Sequence, residues 1–419
     1  MGGRQDCVGR PPTHYCLGAP EAVTPEETAT IGVTTLDEEH EALRRHARGF
    51  AQERIAPMAD ELDQRDEELP QELVDEIAEM GYFGLTIPEE YGGLGQDALS
   101  AVIVTEELVR AWSSAGRVLS RTFLTAHILE KAGTEDQKQR FLPGMAAGTL
   151  QTAWAGTEPE AGSDAASVTT SATLAGDQYV INGVKTFCTW ANRADLLFVF
   201  ARTNPDAETK HRGISCVIVE KQGGQFDPPR LVGTKLPMVG YHGMNTYELT
   251  FNDVVTPADN LVGGEPGRGF YQLMQGYELG RATVAASAIG LAQAALDAAL
   301  EYVPNRRQFG QPISSYQAVR LKLADMATDI AAARQLTYSL TAQIERGVRC
   351  DIEAGMAKLF STEMALRHTW NALSLHGGNG YSMAYPLQRY WRDAGVLTIG
   401  EGTSDIQRLL IARRLLGER

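Results

Sequence analysis

The hydrophobic period of this chain changes twice, and any fold it adopts has to accommodate both changes. From Leu36 to about residue 150 apolar residues recur at helical spacing. Over 151–262 they fall into short runs rich in β-branched and aromatic residues, and from Gly269 the helical spacing returns. In the first part Leu36, Leu43, Ala47, Phe50 and Ile55 mark a helix that should end near Pro57. Pro70 opens a second through Leu73, Val74, Ile77 and Met80, with Gly81 as its stop. Pro88–Gly95 breaks the pattern, helices resume over 98–111 and 122–132, and Thr134 with Gln137 forms a capping box for another over 137–145. In the middle, Tyr179-Val180-Ile181 stands between turn residues at Ala175-Gly176-Asp177 and Asn182-Gly183. Residues 196–201, 214–219 and 247–251 are further strands, which predicts a small barrel or sandwich. Residues 270–302, 316–345 and 352–373 suit an antiparallel bundle. The expected architecture is mainly α with a central β domain: a helical domain over 34–150, a β domain over 151–262 and a bundle over 263–419. Residues 1–33, rich in Gly, Pro, Thr and Glu, read as a flexible extension.

At 419 residues and 43% hydrophobic, the chain can fill several cores. Its net charge of −15 argues against nucleic acid or an anionic membrane as partner. Cys7, Cys16, Cys188, Cys216 and Cys350 lack metal-like spacing, so no metal site is expected and reduced thiols in a cytoplasm are. The N-terminus carries no secretory pattern, and no apolar run reaches the ~18 residues of a membrane span, so no membrane insertion is expected.

Chemistry concentrates in five segments. Near the end, Glu401 sits between Gly400 and Gly402, after an apolar run and before a helix that Ser404 and Gln407 should cap. Glycines on both sides permit a sharp turn and a close ligand approach, and apolar neighbours would desolvate the carboxylate, a setting for a general base. Trp154–Asp164 can present backbone N–H groups and hydroxyls to a phosphate or a heteroaromatic edge. Gly183–Trp190 combines a cation with aromatics alternating with hydroxyl residues, which suits a flat ring. Arg306–Ile313 offers guanidiniums to a pyrophosphate, and Leu375–Tyr381 is a glycine-rich link. Each also has a plainer reading: a solvated turn glutamate, a loop, a core Phe187, helix-capping arginines and a packed His376. No Walker sequence and no G-x-S-x-G elbow occurs.

In order and spacing, these segments together with Pro88–Gly95 and Arg392-Asp393-Ala394 resemble the acyl-CoA dehydrogenase family of flavoenzymes, over about 36–414. The resemblance implies an N-terminal helical domain, a middle β domain and a C-terminal four-helix bundle. It implies FAD-dependent formation of a 2,3-double bond in an acyl thioester, with Glu401 as the base and a β-hydride passing to flavin N5. The thioester oxygen would be held by the Glu401 N–H and a flavin hydroxyl. Some relatives carry the base on the helix before Ala282, where this chain has Gly280. By the same resemblance Trp154, Gly156, Thr157, Gly162, Ser163, Phe187 and Thr189 line the flavin. Arg306, Gln308, Phe309, Gln317, Ser374, Gly377 and Gly378 reach the FAD of a neighbouring subunit, and Thr403 and Asp405 complete the cofactor contacts. Ser163, Glu278, Arg281 and Gly402 face the substrate. Shared cofactors imply a homotetramer, and the implied partners are acyl-CoA and an electron-transferring flavoprotein. His242 and Gly243, which depart from the family pattern, and the acidic extended N-terminus keep a second reading open, a dehydrogenase or oxidase acting on an acyl group tethered to a carrier protein in a biosynthetic pathway. A third reading is a binding or assembly subunit without chemistry, against which the intact Glu401 speaks.

Overall fold

The computed structural model describes residues 36–417; the expected extension over 1–33, with Cys7 and Cys16, lies outside them. Helices α1 (Glu38–Phe50) and α2 (Ala56–Gln64) are joined by a π-helical turn over Ala51–Ile55. The helix therefore does not end at Pro57. The wide turn, closed by the Ala56 N–H on the Ala51 carbonyl, places the proline in the first turn of α2, where its missing N–H costs nothing. Then follow α3 (Gln71–Glu79), α4 (Ala98–Ala111), α5 (Ser113–Ala132) and α6 (Glu135–Ala146). Helix α5 starts at Ser113, well before the expected Thr122. Ser113, Ser114 and Gly116 are poor helix formers, but all three are buried and packing overrides propensity. The Thr134–Gln137 capping box forms as expected, at the start of α6.

Seven strands make one curled sheet: β1 (Thr152–Ala155), β2 (Ser171–Ala175), β3 (Gln178–Thr189), β4 (Leu196–Arg202), β5 (Ile214–Glu220), β6 (Leu231–Leu236) and β7 (Thr246–Pro257). The order is β1-β4-β2-β3-β7-β6, with β5 on β4. Central β4 is buried on both faces: Phe198 and Phe200 pack towards the helices, Leu197 and Val199 towards the other sheet core. Asn182-Gly183 is not a turn. The chain runs on through Gly183 at φ +144° with a register shift, because a side chain there would strike Thr170 and β7 pairs on both sides of it.

The 37-residue α7 (Gly269–Asn305) is buried over most of its length and runs through the centre of the molecule, against α4, α5, α8 (Gln317–Glu345) and α9 (Asp351–His376). An 18-residue window of α7, at mean hydropathy 1.4, is long and apolar enough for a span, contrary to the sequence expectation, yet 83% of that window is buried inside the protein. A small hairpin, β8 (Arg307–Gln308) and β9 (Gln311–Pro312), follows α7. Helices α10 (Leu387–Leu397) and α11 (Ser404–Leu415) close the chain.

Candidate active site

Helix α11 is capped by Thr403, whose Oγ1 accepts the Ile406 N–H at 3.3 Å; the cap is one residue earlier than Ser404. Gln407 turns back instead, donating to the carbonyls of Glu401 (3.2 Å) and Gly402 (3.1 Å). Lys358 on α9 donates its Nζ to the Gly402 carbonyl at 2.8 Å, and burial brings that ammonium down to about 8. These ties hold Glu401 at φ +54°, a left-handed conformation that costs a non-glycine residue ~1–3 kcal/mol. Its own N–H enters no hydrogen bond among the described residues.

The Glu401 side chain is 11% exposed. Its Oε1 lies 3.2 Å from Arg117 Nη2 and 3.6 Å from Arg121 Nη2, while Oε2 is buried with no partner. The apolar surroundings expected for this carboxylate are thus replaced, on one oxygen, by two guanidiniums one turn apart on α5. The other oxygen faces Gly280 of α7, where an added Cβ would come within 2.7 Å of it. Arg117 also donates Nε to the Tyr241 hydroxyl at 2.6 Å. Burial works against the Arg117 charge, but Tyr241 and Glu401 hold it above the ordinary value. For Arg121 burial and the Arg117 charge outweigh the support of Tyr241, Glu401 and Tyr277 and push it below the ordinary value.

Some expected site residues gather near this turn. Trp154 on β1 lies with its ring 4.3 Å from Phe200 and 6.1 Å from Tyr277, which precedes Gly280 by about one helical turn. Glu278 is half-buried with its carboxyl pushed up by burial, and buried Arg281 sits over the Tyr277 ring at 5.4 Å. In the loop after β1 the Thr157 carbonyl accepts the Thr186 N–H at 2.9 Å, Gly156 and Thr157 are half-buried, and Gly162 and Ser163 are exposed. Phe187 is not a core residue. A register shift between Lys185 and Cys188 turns it outward, 59% exposed and at φ +55°. Thr189 pairs with Thr246, Oγ1 to Oγ1, at 3.0 Å. Lys185 is committed to the core, its Nζ 2.8 Å from Glu158 Oε1.

The other set lies at the far end of the bundle. Arg306 follows Gly280 along α7, and a rise of roughly 1.5 Å per residue puts the two about 39 Å apart. Beside it, exposed, are Gln308, Gln317, Ser374, Gly377 and Gly378, and Phe309 at the hairpin tip is 94% exposed. His376 is a packed residue, stacked on Tyr302 at 4.0 Å. Asp405 points outward, 3.5 Å from Arg408. The sequence reading missed Arg117, Arg121, Tyr241 and Lys358; the only local sign of the arginine pair is an i,i+4 repeat of cations inside an otherwise buried helix.

Models of the acyl-CoA dehydrogenase N-terminal, middle and C-terminal domains match residues 37–149, 153–254 and 267–416 in turn. The (2S)-methylsuccinyl-CoA dehydrogenase of Cereibacter sphaeroides is 44% identical, over 93% of this chain and 71% of that protein. The butyryl-CoA dehydrogenase structure from Megasphaera elsdenii superposes with a TM-score of 0.86 at 36% identity, covering 92% of this chain and 100% of that one. A glutaryl-CoA dehydrogenase from Mycobacterium smegmatis in complex with FADH2 does so with a TM-score of 0.84 at 26% identity, over 91% and 96%. Three domains matched end to end, around a strained glutamate turn set against the central helix, make this chain a member of the acyl-CoA dehydrogenase family, an oxidoreductase acting on CH–CH bonds.

Proposed function

We propose that the protein dehydrogenates an acyl-CoA thioester between its α- and β-carbons, with FAD as cofactor and Glu401 as the base. The observation that carries this reading is the division of labour on one residue. Glu401 Oε1 is held by guanidiniums, Oε2 is buried and unpartnered, and the backbone N–H of the same residue is free to donate. Oε2 takes the α-proton, and the N–H donates to the thioester oxygen as enolate charge develops there. Gly280 leaves the space in which Oε2 meets the α-carbon. FAD, when bound, accepts the hydride from the β-carbon.

The residues present suit a flavin. Phe187 is an exposed apolar ring held in a strained bulge, a costly arrangement without a flat partner, and Thr189 stands on the same strand with a hydroxyl. The distance between Glu401 and the Arg306–Phe309 hairpin supports a cofactor met by that hairpin only from a neighbouring subunit, hence the homotetramer. Retention of FAD by a monomer in sedimentation runs would remove that part. An electron-transferring flavoprotein is the acceptor this reading implies, and its reduction by the substrate-reduced enzyme checks it. Two of the residues that motivated the carrier-protein alternative have a plainer role. His242 is bound to Asp63, and a side chain at Gly243 would strike Trp112, so both serve packing. Anaerobic addition of short acyl-CoA thioesters to the yellow holoenzyme tests the whole: bleaching of the flavin is expected, and a flavin left oxidised by every chain length would sink it.

A further inference from the structure

We infer that the acyl group this site accepts carries its own carboxylate, a few carbons from the thioester, and that Arg117 and Arg121 bind it. The inference rests on the reading of Glu401 as the base and adds the substrate class. It starts from a shortage of negative charge. Arg117 and Arg121 project from one face of α5 towards the same carboxylate oxygen, at 3.2 Å and 3.6 Å. Arg117 is otherwise engaged by Tyr241. The Arg121 side chain makes no hydrogen bond among the described residues: it is 13% exposed, its Nε is buried without a partner, and its one anionic contact is an oxygen already taken by Arg117. Buried guanidiniums are normally saturated by carboxylates or carbonyls, since an unpaired buried donor or charge is costly. Among the neighbouring cations Lys358 is spent on the Gly402 carbonyl, while Arg281, whose Nε is also buried without a partner, lies over the Tyr277 ring and, unlike Arg117 and Arg121, forms no ion pair with Glu401.

The geometry also bounds the length. For proton transfer the α-carbon has to come within about 3–3.5 Å of Glu401. A group that reaches both the base and guanidiniums already touching that base is only a few bonds from the α-carbon. A four- or five-carbon dicarboxylic monothioester fits. A long alkyl chain would press methylenes against an unpaired guanidinium, and a short one would leave it unpaired.

Steady-state kinetics of the holoenzyme with glutaryl-CoA and methylsuccinyl-CoA, against pentanoyl-CoA and butyryl-CoA, test this. The carboxylated thioesters should be preferred in kcat/KM by about 100-fold or more, the discrimination expected where a site built for a polar group meets an analogue lacking it. Arg121→Met, with Arg121→Gln as a second variant should the first not fold, should collapse that ratio towards one. Calorimetric titration of Glu401→Gln holoenzyme supplies a readout without turnover, in which glutaryl-CoA should bind at least about 10-fold tighter than pentanoyl-CoA. Equal use of neutral and carboxylated thioesters by the wild type would overturn the substrate class and leave the base assignment standing. Variants that slow both thioesters by one factor, with the ratio intact, would make Arg121 a positioning residue for Glu401 and overturn its binding role. If no thioester bleaches the flavin, the base reading fails, and the calorimetric preference still decides this one.

Discussion

Among the carboxylates that face cations in this protein, Glu158 and Glu401 are built in opposite ways. Glu158, in the loop after β1, uses all of its acceptor capacity. Oε1 takes Lys185 Nζ at 2.8 Å and the Thr170 N–H at 2.9 Å, and Oε2 takes the N–H and hydroxyl of Thr169 at 2.7 and 2.9 Å. Burial alone would raise its pKa, yet Lys185 and these donors bring it down to about 2. Glu401 has one oxygen at longer distances from two guanidiniums and the other with no partner, on a strained backbone. A saturated pair fixes a loop against a strand. An unsaturated one is poised to accept something the folded chain does not supply.

The sharpest way to break that contrast is at Glu401 itself. Glu401→Gln keeps the shape and the backbone N–H but removes the proton acceptor, so turnover of acyl-CoA should fall about 10⁴-fold with flavin still bound. Stopped-flow flavin reduction reads this directly, and a variant reducing its flavin at the wild-type rate would end the assignment.

Lys185→Met probes the other partner. It strands the Glu158 carboxylate in the core, and the expected cost is about 3–5 kcal/mol, read as a lowered urea midpoint. Adding Glu158→Gln should restore much of it, because the uncompensated charge is what hurts. Glu401→Gln should cost less stability than Lys185→Met, since its contacts to guanidinium are longer. The reverse order would erase the distinction between the two sites.

That distinction was only half legible in the sequence. Glu401 stood out because glycines on both sides announce a sharp turn, and the helices with clean apolar spacing, such as α4 and α6, were found with little error. What local patterning conveys badly is partnership across the chain. Arg117 meets Glu401 from 284 positions away, and nothing in the residues around either one encodes the other. The expected apolar shell around the base was wrong for that reason. Strands β1, β2 and β6 went unread because they are short or polar and are held by their neighbours in the sheet. Asn182-Gly183 carried turn chemistry, but pairing with β7 on both sides kept the chain extended.

A finer test acts on the space beside Oε2 and leaves its charge alone. In Gly280→Ala the new Cβ would lie 2.7 Å from Oε2 and 3.3 Å from Leu124 Cδ1, so the carboxylate has to move. Turnover should drop about 10- to 100-fold, the effect of misplacing a reacting group by roughly an ångström. Stability should hold or rise by up to about 1 kcal/mol, because alanine is the better helix former. Opposite signs on the two readouts would mark the site as one that gives up stability for geometry. A fall in stability with unchanged turnover would show that the space serves packing alone.

The smallest effect concerns Asp63, which in its bonding stands between Glu158 and Glu401: Oδ2 is held by Arg392, while Oδ1 makes no hydrogen bond. Asp63 in α2 is buried and contacts both Arg392 of α10 and His242, whose Nδ1 lies 3.3 Å from its Oδ1, and the imidazole is raised to about 9. The contact with the Asp63 side chain is the main cause, against the opposing effect of burial. A histidine whose folded pKa is raised stabilises fully below its unfolded value of 6.5 and loses that contribution as pH climbs through 9. Urea midpoints of the wild type should therefore lose about 1–3 kcal/mol relative to His242→Gln between pH 6.5 and 9.5. Lys221 and Lys358, each brought down by burial to about 8, work the other way above pH 8, so the difference between the two proteins isolates His242. Parallel curves would leave the pair electrostatically idle. A kcat that follows the His242 titration would mean that this contact, like the arginines of α5, acts on Glu401, and the division between structural and functional pairs would have to be redrawn.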